Sequence, residues 1–286
     1  MCIRDSAWTN LGVGGLADLL IRCRSADGLQ RALDLVAAHG RSWLVIGSGS
    51  RLVPSDYGLR LPVLNLSGNL GLWELDVDGA VAWGGANLAQ VCRAAARTGL
   101  DGIDPLITHS GTVGGAIHAA AAGRLSLGGV FEWVDLARPG APVERVTLNQ
   151  MERPDRDFAL RLRRRVVLRA RLRLSRPDVG RMHRRLDDGG LERWRREPRT
   201  ASPVFVGLGE AEVAAALSES NVFGMSAGGA RLCGEPPDRI RTTRTARASH
   251  VLELVQMVRD RVRQRTAVDL GCALWFVDEQ GRQVTL

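Results

Sequence analysis

Two glycine-rich loops constrain this chain more than any other feature. The first, Val45-Ile46-Gly47-Ser48-Gly49-Ser50-Arg51-Leu52, closes an apolar run that begins at Trp43, and the second is Ser110-Gly111-Thr112-Val113-Gly114-Gly115-Ala116. Leu44, Val45 and Ile46 read as a buried strand, so the first loop has the order strand, then glycine turn. Successive backbone amides in such a turn form an anion-binding nest, and glycine leaves room for an anion to approach them. Ser48, Ser50, Ser110 and Thr112 add hydroxyl donors. With a helical pattern between them, the two loops suggest a backbone cradle for the pyrophosphate of a large cofactor. Its candidate residues are Gly47, Ser48, Gly49, Ser50, Arg51 and Leu52 with Ser110, Gly111, Thr112, Gly114 and Gly115. Taken singly, each loop has a simpler reading: a tight turn at a strand end, with glycine there for geometry alone.

Neither loop fits the commoner phosphate motifs. A triphosphate-cradling loop ends in Gly-Lys-Ser/Thr, and this chain has no lysine. The Gly-x-Gly-x-x-Gly dinucleotide fingerprint opens a helix, whereas Gly47-x-Gly49 runs into Leu52, Val53 and Pro54, where proline opposes one.

Composition narrows the class. With 286 residues, 45% hydrophobic and 24% charged, the chain can bury the core of one large or two ordinary domains. No apolar run approaches the roughly 18 residues that suggest a membrane span, and there is no signal-peptide pattern. Met1–Ser6 resembles a translated sequencing adapter and carries no weight in this reading. The five cysteines (Cys2, Cys23, Cys92, Cys233, Cys272) have no Cys-x-x-Cys spacing, and the five histidines are scattered. That favours a reducing cytoplasm over disulfide, zinc or iron–sulfur frameworks, and no metal is expected. The net charge is +8, and all 39 basic residues are arginine, with 17 of them between Met151 and Thr200. A nucleic-acid surface is one reading. The favoured one is a set of solvated faces: in Arg169-Ala170-Arg171-Leu172-Arg173-Leu174 the arginines alternate as on a half-exposed strand. Aromatic platforms for bases are also missing there, apart from Phe158 and Trp194.

The periodicity predicts strands over Ala17–Cys23, Trp43–Ile46, Leu61–Leu66, Leu72–Val77, Val130–Ala137, Val143–Leu148, Val166–Leu174, Val204–Val206 and Trp275–Val277. Helices are predicted over Asp27–His39 with Ser25 as N-cap, Leu88–Thr98 with Gly99 closing it, Glu210–Ser218 and Ser249–Arg265. Ala116–Ala122 is small and apolar, which permits close backbone packing. Arg176–Trp194 reads as an arginine-rich connection at a domain boundary.

In this order the motifs resemble the UDP-N-acetylenolpyruvoylglucosamine reductase (MurB) family of peptidoglycan precursor synthesis. Thr9-Asn10-Leu11-Gly12-Val13-Gly14-Gly15-Leu16-Ala17-Asp18 is similar to the family's opening loop. Gly47–Leu52 resembles its Leu-Gly-x-Gly-Ser-Asn-Leu turn, and Ser110–Ala116 its Pro-Gly-Thr-Val-Gly-Gly-Ala segment. Val166–Leu168 and Arg171–Leu174 resemble the strand that closes its flavin domain. Weaker similarity continues in Gly228-Gly229-Ala230 and in Ser249–Leu270. The resemblance implies an α+β fold: a vanillyl-alcohol-oxidase-type FAD-binding domain of two α/β subdomains over residues 7–175, a connection over 176–200, and a smaller α/β substrate domain over 201–286. It also implies non-covalent FAD, NADPH as hydride donor and a small-molecule sugar nucleotide as substrate. No membrane is implied, nucleic acid is disfavoured, and a monomer is the default expectation.

The chemical positions of that family are where the pattern breaks. The family donates a proton from a serine or cysteine in Gly-Ser-x-Phe-Lys-Asn, assisted by an arginine and a late glutamate. Here Ala201-Ser202-Pro203-Val204-Phe205-Val206-Gly207 places Pro203 at the serine, and Ala273 falls at the glutamate. The arginine motif corresponds to Phe158–Arg163, where Arg161 is the surviving candidate. Ala120 stands at the asparagine that follows the second loop, and the family's His-Ala-x-Phe-Ile-Asn segment is reduced to Ser249-His250-Val251. His250, Cys272, Glu210 and Glu212 are candidate replacements, each also readable as an ordinary surface or core residue. Four readings stay open: a reductase with relocated acids, a flavin-binding homologue without the chemistry, another flavin oxidoreductase, and a nucleic-acid binder.

Overall fold

The structure is a computed structural model and describes residues 3–4, 8–102, 111–122, 129–147, 162, 164–175, 199–207, 209–235 and 237–284. Residues 176–198 of the arginine-rich connection over 176–200, Arg161 and Ser110 lie outside these.

The first layer is a mostly parallel sheet. Strands β2 (Leu16–Cys23), β3 (Leu44–Ile46) and β5 (Leu59–Leu66) align with β5 in the middle, and β1 (Ile3–Arg4) adds antiparallel to β2. Between β2 and β3 runs helix α1 (Ala26–Ala38), whose Leu29, Ala32, Leu33 and Val36 are buried. Its N-cap is Ser25, which accepts from the Gly28 amide at 3.1 Å and so satisfies one of the orphan donors of the first turn. Parallel strands need such a crossover, and the 3.6-residue spacing of apolar side chains turns one stripe of α1 onto the sheet.

The second layer is a five-stranded antiparallel sheet, in the order β6 (Trp73–Leu75), β7 (Gly79–Trp83), β10 (Val166–Arg173), β8 (Phe131–Ala137), β9 (Glu144–Thr147). Helix α2 (Leu88–Arg97), capped by Asn87, buries Leu88, Val91, Cys92 and Ala95 in the core of this layer. The alternating arginines of β10 lie on its wetter face. Arg169 and Arg145 both bind the Asp135 carboxylate, at 2.8 and 2.7 Å, and Arg145 stacks over Trp133. Arg171 pairs with Asp76, Asp78 and Glu132. These side chains are engaged by carboxylates of their own sheet, in keeping with the solvated-face reading of this strand.

The C-terminal part holds the sheet β11 (Thr200–Ala201), β15 (Arg239–Thr242), β14 (Ala230–Cys233), β13 (Ser226–Ala227), with helices α4 (Glu210–Glu219) and α5 (Ala248–Thr266). Two short pairs tie it together. β12 (Phe205–Val206) pairs with β16 (Gly271–Cys272), and β17 (Trp275–Val277) runs parallel to β4 (Leu52–Pro54). The last strand therefore returns to the edge of the first glycine loop. Leu11, Val13 and Val53 from the N-terminal part share one apolar cluster with Val204, Leu254, Val258 and Phe276.

One stretch differs from the sequence reading. Ala116–Ala122, read only as small and apolar, belongs to helix α3 (Val113–Ala121), which starts immediately inside the second loop. Its two glycines hid it, because glycine lowers helix propensity by about 1 kcal/mol relative to alanine.

Candidate functional site

The two glycine loops meet. A Cβ placed on Gly47 would sit 2.3 Å from Thr112 Oγ1, and one on Gly111 would sit 3.2 Å from Ser50 Oγ. The opening loop closes in from the other side: the Asn10 amide donates to the Gly49 carbonyl at 2.8 Å, and a Cβ on Gly49 would lie 1.9 Å from the Trp8 carbonyl oxygen. Gly49 also has φ +63°, a conformation glycine adopts without strain. These glycines let three backbone segments converge. Asn65, a buried polar residue in the apolar run of β5, anchors the first loop by donating Nδ2 to the carbonyls of Ile46 (3.2 Å) and Gly47 (3.4 Å). Sequence reasoning missed it, and its signal was one amide in an otherwise apolar strand.

Thr112 caps α3, its Oγ1 accepting from the Gly115 amide at 3.3 Å. The other first-turn amides are also used internally. Val113 donates to Ala86, Gly114 to Gly84 and Ala116 to Thr112. A helix start holds an anion through free amides, and these amides of α3 are engaged, so an anion here would meet the loop backbones at Gly47–Arg51 and Gly111. Gly114 serves packing, since its Cβ would lie 2.9 Å from the Gly84 carbonyl oxygen. Further along α3, burial pulls the His118 imidazole down to about 4, so it is neutral at neutral pH. Ala120 lies on the same helix.

Pro203 and Ala273, where the resemblance expects a proton donor and a late glutamate, come together as well. The Ala273 amide donates to the Val204 carbonyl at 2.7 Å, next to Pro203. Two residues on, the Trp275 amide donates to the Arg51 carbonyl at 2.8 Å, in the first glycine loop. A residue that sequence reasoning did not single out completes this cluster. Asp238, buried and with φ +61°, accepts from the Val204 amide at 2.9 Å and from the Phe205 amide at 3.0 Å. By accepting these two amides, Asp238 fixes the backbone of the Pro203 turn.

The candidate replacements do other work. Glu212 accepts from the Gly209 amide at 2.9 Å and closes the start of α4. His250 Nδ1 accepts from the Gly229 and Arg247 amides, both at 3.2 Å, at the start of α5. Cys272 is half-buried opposite Phe205. Glu210 opens α4, and its side chain lies outside the described residues.

Residues 17–135 match the family model described as an FAD binding domain. The UDP-N-acetylenolpyruvoylglucosamine reductase of Pseudothermotoga lettingae is 27% identical, over 92% of this chain and 92% of its own length. Its counterpart in Heliobacterium modesticaldum is 26% identical over 98% and 90%. The crystal structure of UDP-N-acetylenolpyruvylglucosamine reductase (MurB) from Thermus caldophilus superposes with a TM-score of 0.73, covering 96% of this chain and 98% of that one, at 24% identity. The fold and the family match together define an α+β scaffold with an FAD binding domain over residues 17–135. Within that class, the chain is similar over nearly its whole length to the UDP-N-acetylenolpyruvoylglucosamine reductases.

Proposed function

We propose that this chain is a flavin-dependent oxidoreductase of the UDP-N-acetylenolpyruvoylglucosamine reductase type in which proton delivery is slow. The reaction is NADPH-dependent reduction of UDP-N-acetylglucosamine enolpyruvate to UDP-N-acetylmuramate, a cytoplasmic step of peptidoglycan precursor synthesis. Bound FAD supplies the hydride chemistry, and the protein supplies binding, orientation and the proton.

The observation that carries this reading is the loop-to-loop contact of Gly47 with Thr112, with the Ala273–Trp275 segment bonded to the same loop through Arg51. The residues we assign to the cofactor's pyrophosphate are Gly47, Ser48, Gly49, Ser50 and Arg51 from the first loop and Gly111 from the second. Ser110, Leu52, Thr112, Gly114 and Gly115 belong to the same loops, with Thr112 capping α3. Pro203 and Ala273 stand where a proton donor and a carboxylate belong, and neither side chain carries a proton or a charge. Loss of a general acid slows proton transfer by about 10²–10⁴-fold. A second reading rests on those same two positions: a flavin-binding homologue that retains the cofactor and has lost the turnover. In both readings we take residues 7–175 as the flavin domain and 201–286 as the substrate domain, and the chain as a monomer without nucleic-acid or membrane partners.

The test begins with the absorbance of the purified chain. A colourless protein that takes up no added FAD overturns both readings. With FAD bound, NADPH oxidation is followed with and without the enolpyruvyl sugar nucleotide. Slow substrate-dependent oxidation supports the first reading, none supports the second, and turnover as fast as that of a serine-bearing relative refutes the slowing.

A further inference from the structure

Pro203 stands between two hydrogen-bonded routes, and both start at the first glycine loop. After Pro203, the Val204 carbonyl accepts from the Ala273 amide at 2.7 Å, and the nearby Trp275 amide donates to the Arg51 carbonyl at 2.8 Å. Before Pro203, the route runs through one residue of the opening loop, Asn10. Its amide donates to the Gly49 carbonyl at 2.8 Å, and its carbonyl accepts from the Arg199 amide at 2.7 Å. Its side chain donates Nδ2 to the Thr200 carbonyl. Asn10 thus holds the first loop with its backbone, and the start of β11 with backbone and side chain together.

The surroundings leave this junction little freedom. Thr200 is buried, and the Thr242 hydroxyl adds a bond to the Leu11 carbonyl. Arg199 has φ +61°, a conformation that is unfavourable for a residue with a side chain and is kept where surrounding contacts fix it. Its guanidinium donates to the Thr243 carbonyl at 3.0 Å. A restraint applied at Gly49 is therefore passed on to Arg199 and Thr200, and from them to Pro203.

We propose that Asn10 is a positioning residue that couples occupancy of the Gly47–Arg51 loop to the geometry of the Pro203 turn. The inference rests on the reading of that loop as part of the FAD cradle. FAD held by the loop restrains the Gly49 and Arg51 carbonyls, and the two routes restrain the turn from both sides. The turn at the position of the absent acid is then ordered in the loaded protein and looser in the empty one.

Backbone hydrogen exchange, followed by mass spectrometry of peptides from the full-length protein, tests this without turnover. The Val204 and Phe205 amides, which donate to Asp238, report on the turn, and helix α4 serves as reference. Saturating FAD, with uptake read from visible absorbance, is expected to slow exchange at Val204 and Phe205 at least about fivefold more than in α4. Asn10→Ala keeps the backbone bonds and loses the Nδ2 donor, and should cut that protection at least about twofold. Asn10→Asp, close to the parent in shape, serves if Asn10→Ala does not fold. Thr242→Val removes a different hydrogen bond between the same two segments, and should leave the protection in place. FAD uptake with no more slowing at the turn than in α4 overturns the coupling and leaves the flavin reading standing. No uptake overturns both. Equal loss of protection in Asn10→Ala and Thr242→Val also overturns the coupling, because it reports general loosening.

Discussion

Gly47 and Thr112 lie 65 positions apart, yet a methyl group on Gly47 would come within 2.3 Å of the Thr112 hydroxyl and 3.0 Å of its methyl carbon. The glycine at this point is therefore fixed by the approach of the second loop. Gly47→Ala forces the loops apart and is expected to cost about 1–3 kcal/mol in stability, as overpacking does. Thr112→Ala removes the cap of α3, at about 1 kcal/mol. It also removes the two nearest atoms that a Cβ on Gly47 would strike, leaving the Thr112 Cβ at 3.2 Å. The double variant should thus be more stable than the sum of the single losses implies. Thermal melts of the four proteins check this, and strict additivity would show that the loops do not touch. Gly47→Ala should also weaken FAD binding, read from flavin fluorescence, whereas Gly40→Ala, on a turn with nothing within 4 Å of its Cβ, should leave it unchanged.

A second long-range contact joins the two halves. Asp56, in the turn after β4, accepts from the Ala248 amide at 2.6 Å and the Ser249 amide at 3.0 Å, capping α5 from 192 residues away. A carboxylate at a helix start satisfies orphan donors and complements the helix dipole. Asp56→Ala is expected to lower stability by about 1–2 kcal/mol, with Asp56→Asn losing less because it keeps an acceptor. An unchanged melting temperature in Asp56→Ala would remove this contact from the account.

What could be read in the sequence was local. The period-2 and period-3.6 patterns and apolar runs located β2, β5, β10, α1, α2 and α5 to within a few residues, because each is a regular apolar pattern, and α1 and α2 also carry their own caps in Ser25 and Asn87. Both glycine loops were visible, and the structure adds that they touch. The missing parts were contacts between segments far apart in the chain. Nothing near Asp56 says that it caps α5. Asp238 sits in a Pro-Pro-Asp turn whose partner amides are at Val204 and Phe205. The pairing of β17 with β4 joins two three-residue strands, each too short to show a pattern. Helix α3 was hidden by glycines kept for close approach to Gly84 and Thr112.

The arginine face of the second sheet carries a pH signature. Hydrogen bonds from Arg171 hold the Asp76 carboxyl at about 2, below its ordinary 3.8. A carboxyl depressed by folding stabilises the native state above its unfolded value, and the contribution fades as the pH falls from about 3.8 through about 2. The stability difference between the parent and Asp76→Asn should therefore be constant above pH 4 and shrink toward pH 2. Asp76 is largely exposed, so the difference is small and should fall further in 1 M salt, where the screening length is about 3 Å. Urea melts across that pH range provide the measurement. A difference that grows on acidification would contradict the pairing.

The hydrogen bond from the Ala273 amide to the Val204 carbonyl bears most directly on the proposed function, because it sets Ala273 beside the Pro203–Val204 turn. If slow turnover arises from the absent acid, putting the acid back should recover it. Pro203→Ser supplies a hydroxyl at the turn held by Asp238, and Ala273→Glu supplies a carboxylate in the link between β16 and β17. Ala273 is buried, so the glutamate alone would place a charge in an apolar setting and should destabilise the protein. The serine alone should raise substrate-dependent NADPH oxidation, and the pair should raise it further, toward the 10²–10⁴-fold that a positioned acid contributes. The gain belongs in kcat, with little change in KM, because the added groups act on the proton and leave the binding of the sugar nucleotide alone. Recovery by the double variant would place the defect in proton delivery. A folded, flavin-loaded double variant with no substrate-dependent oxidation would place it in substrate recognition instead, and would favour the reading of this chain as a flavin-binding homologue without turnover.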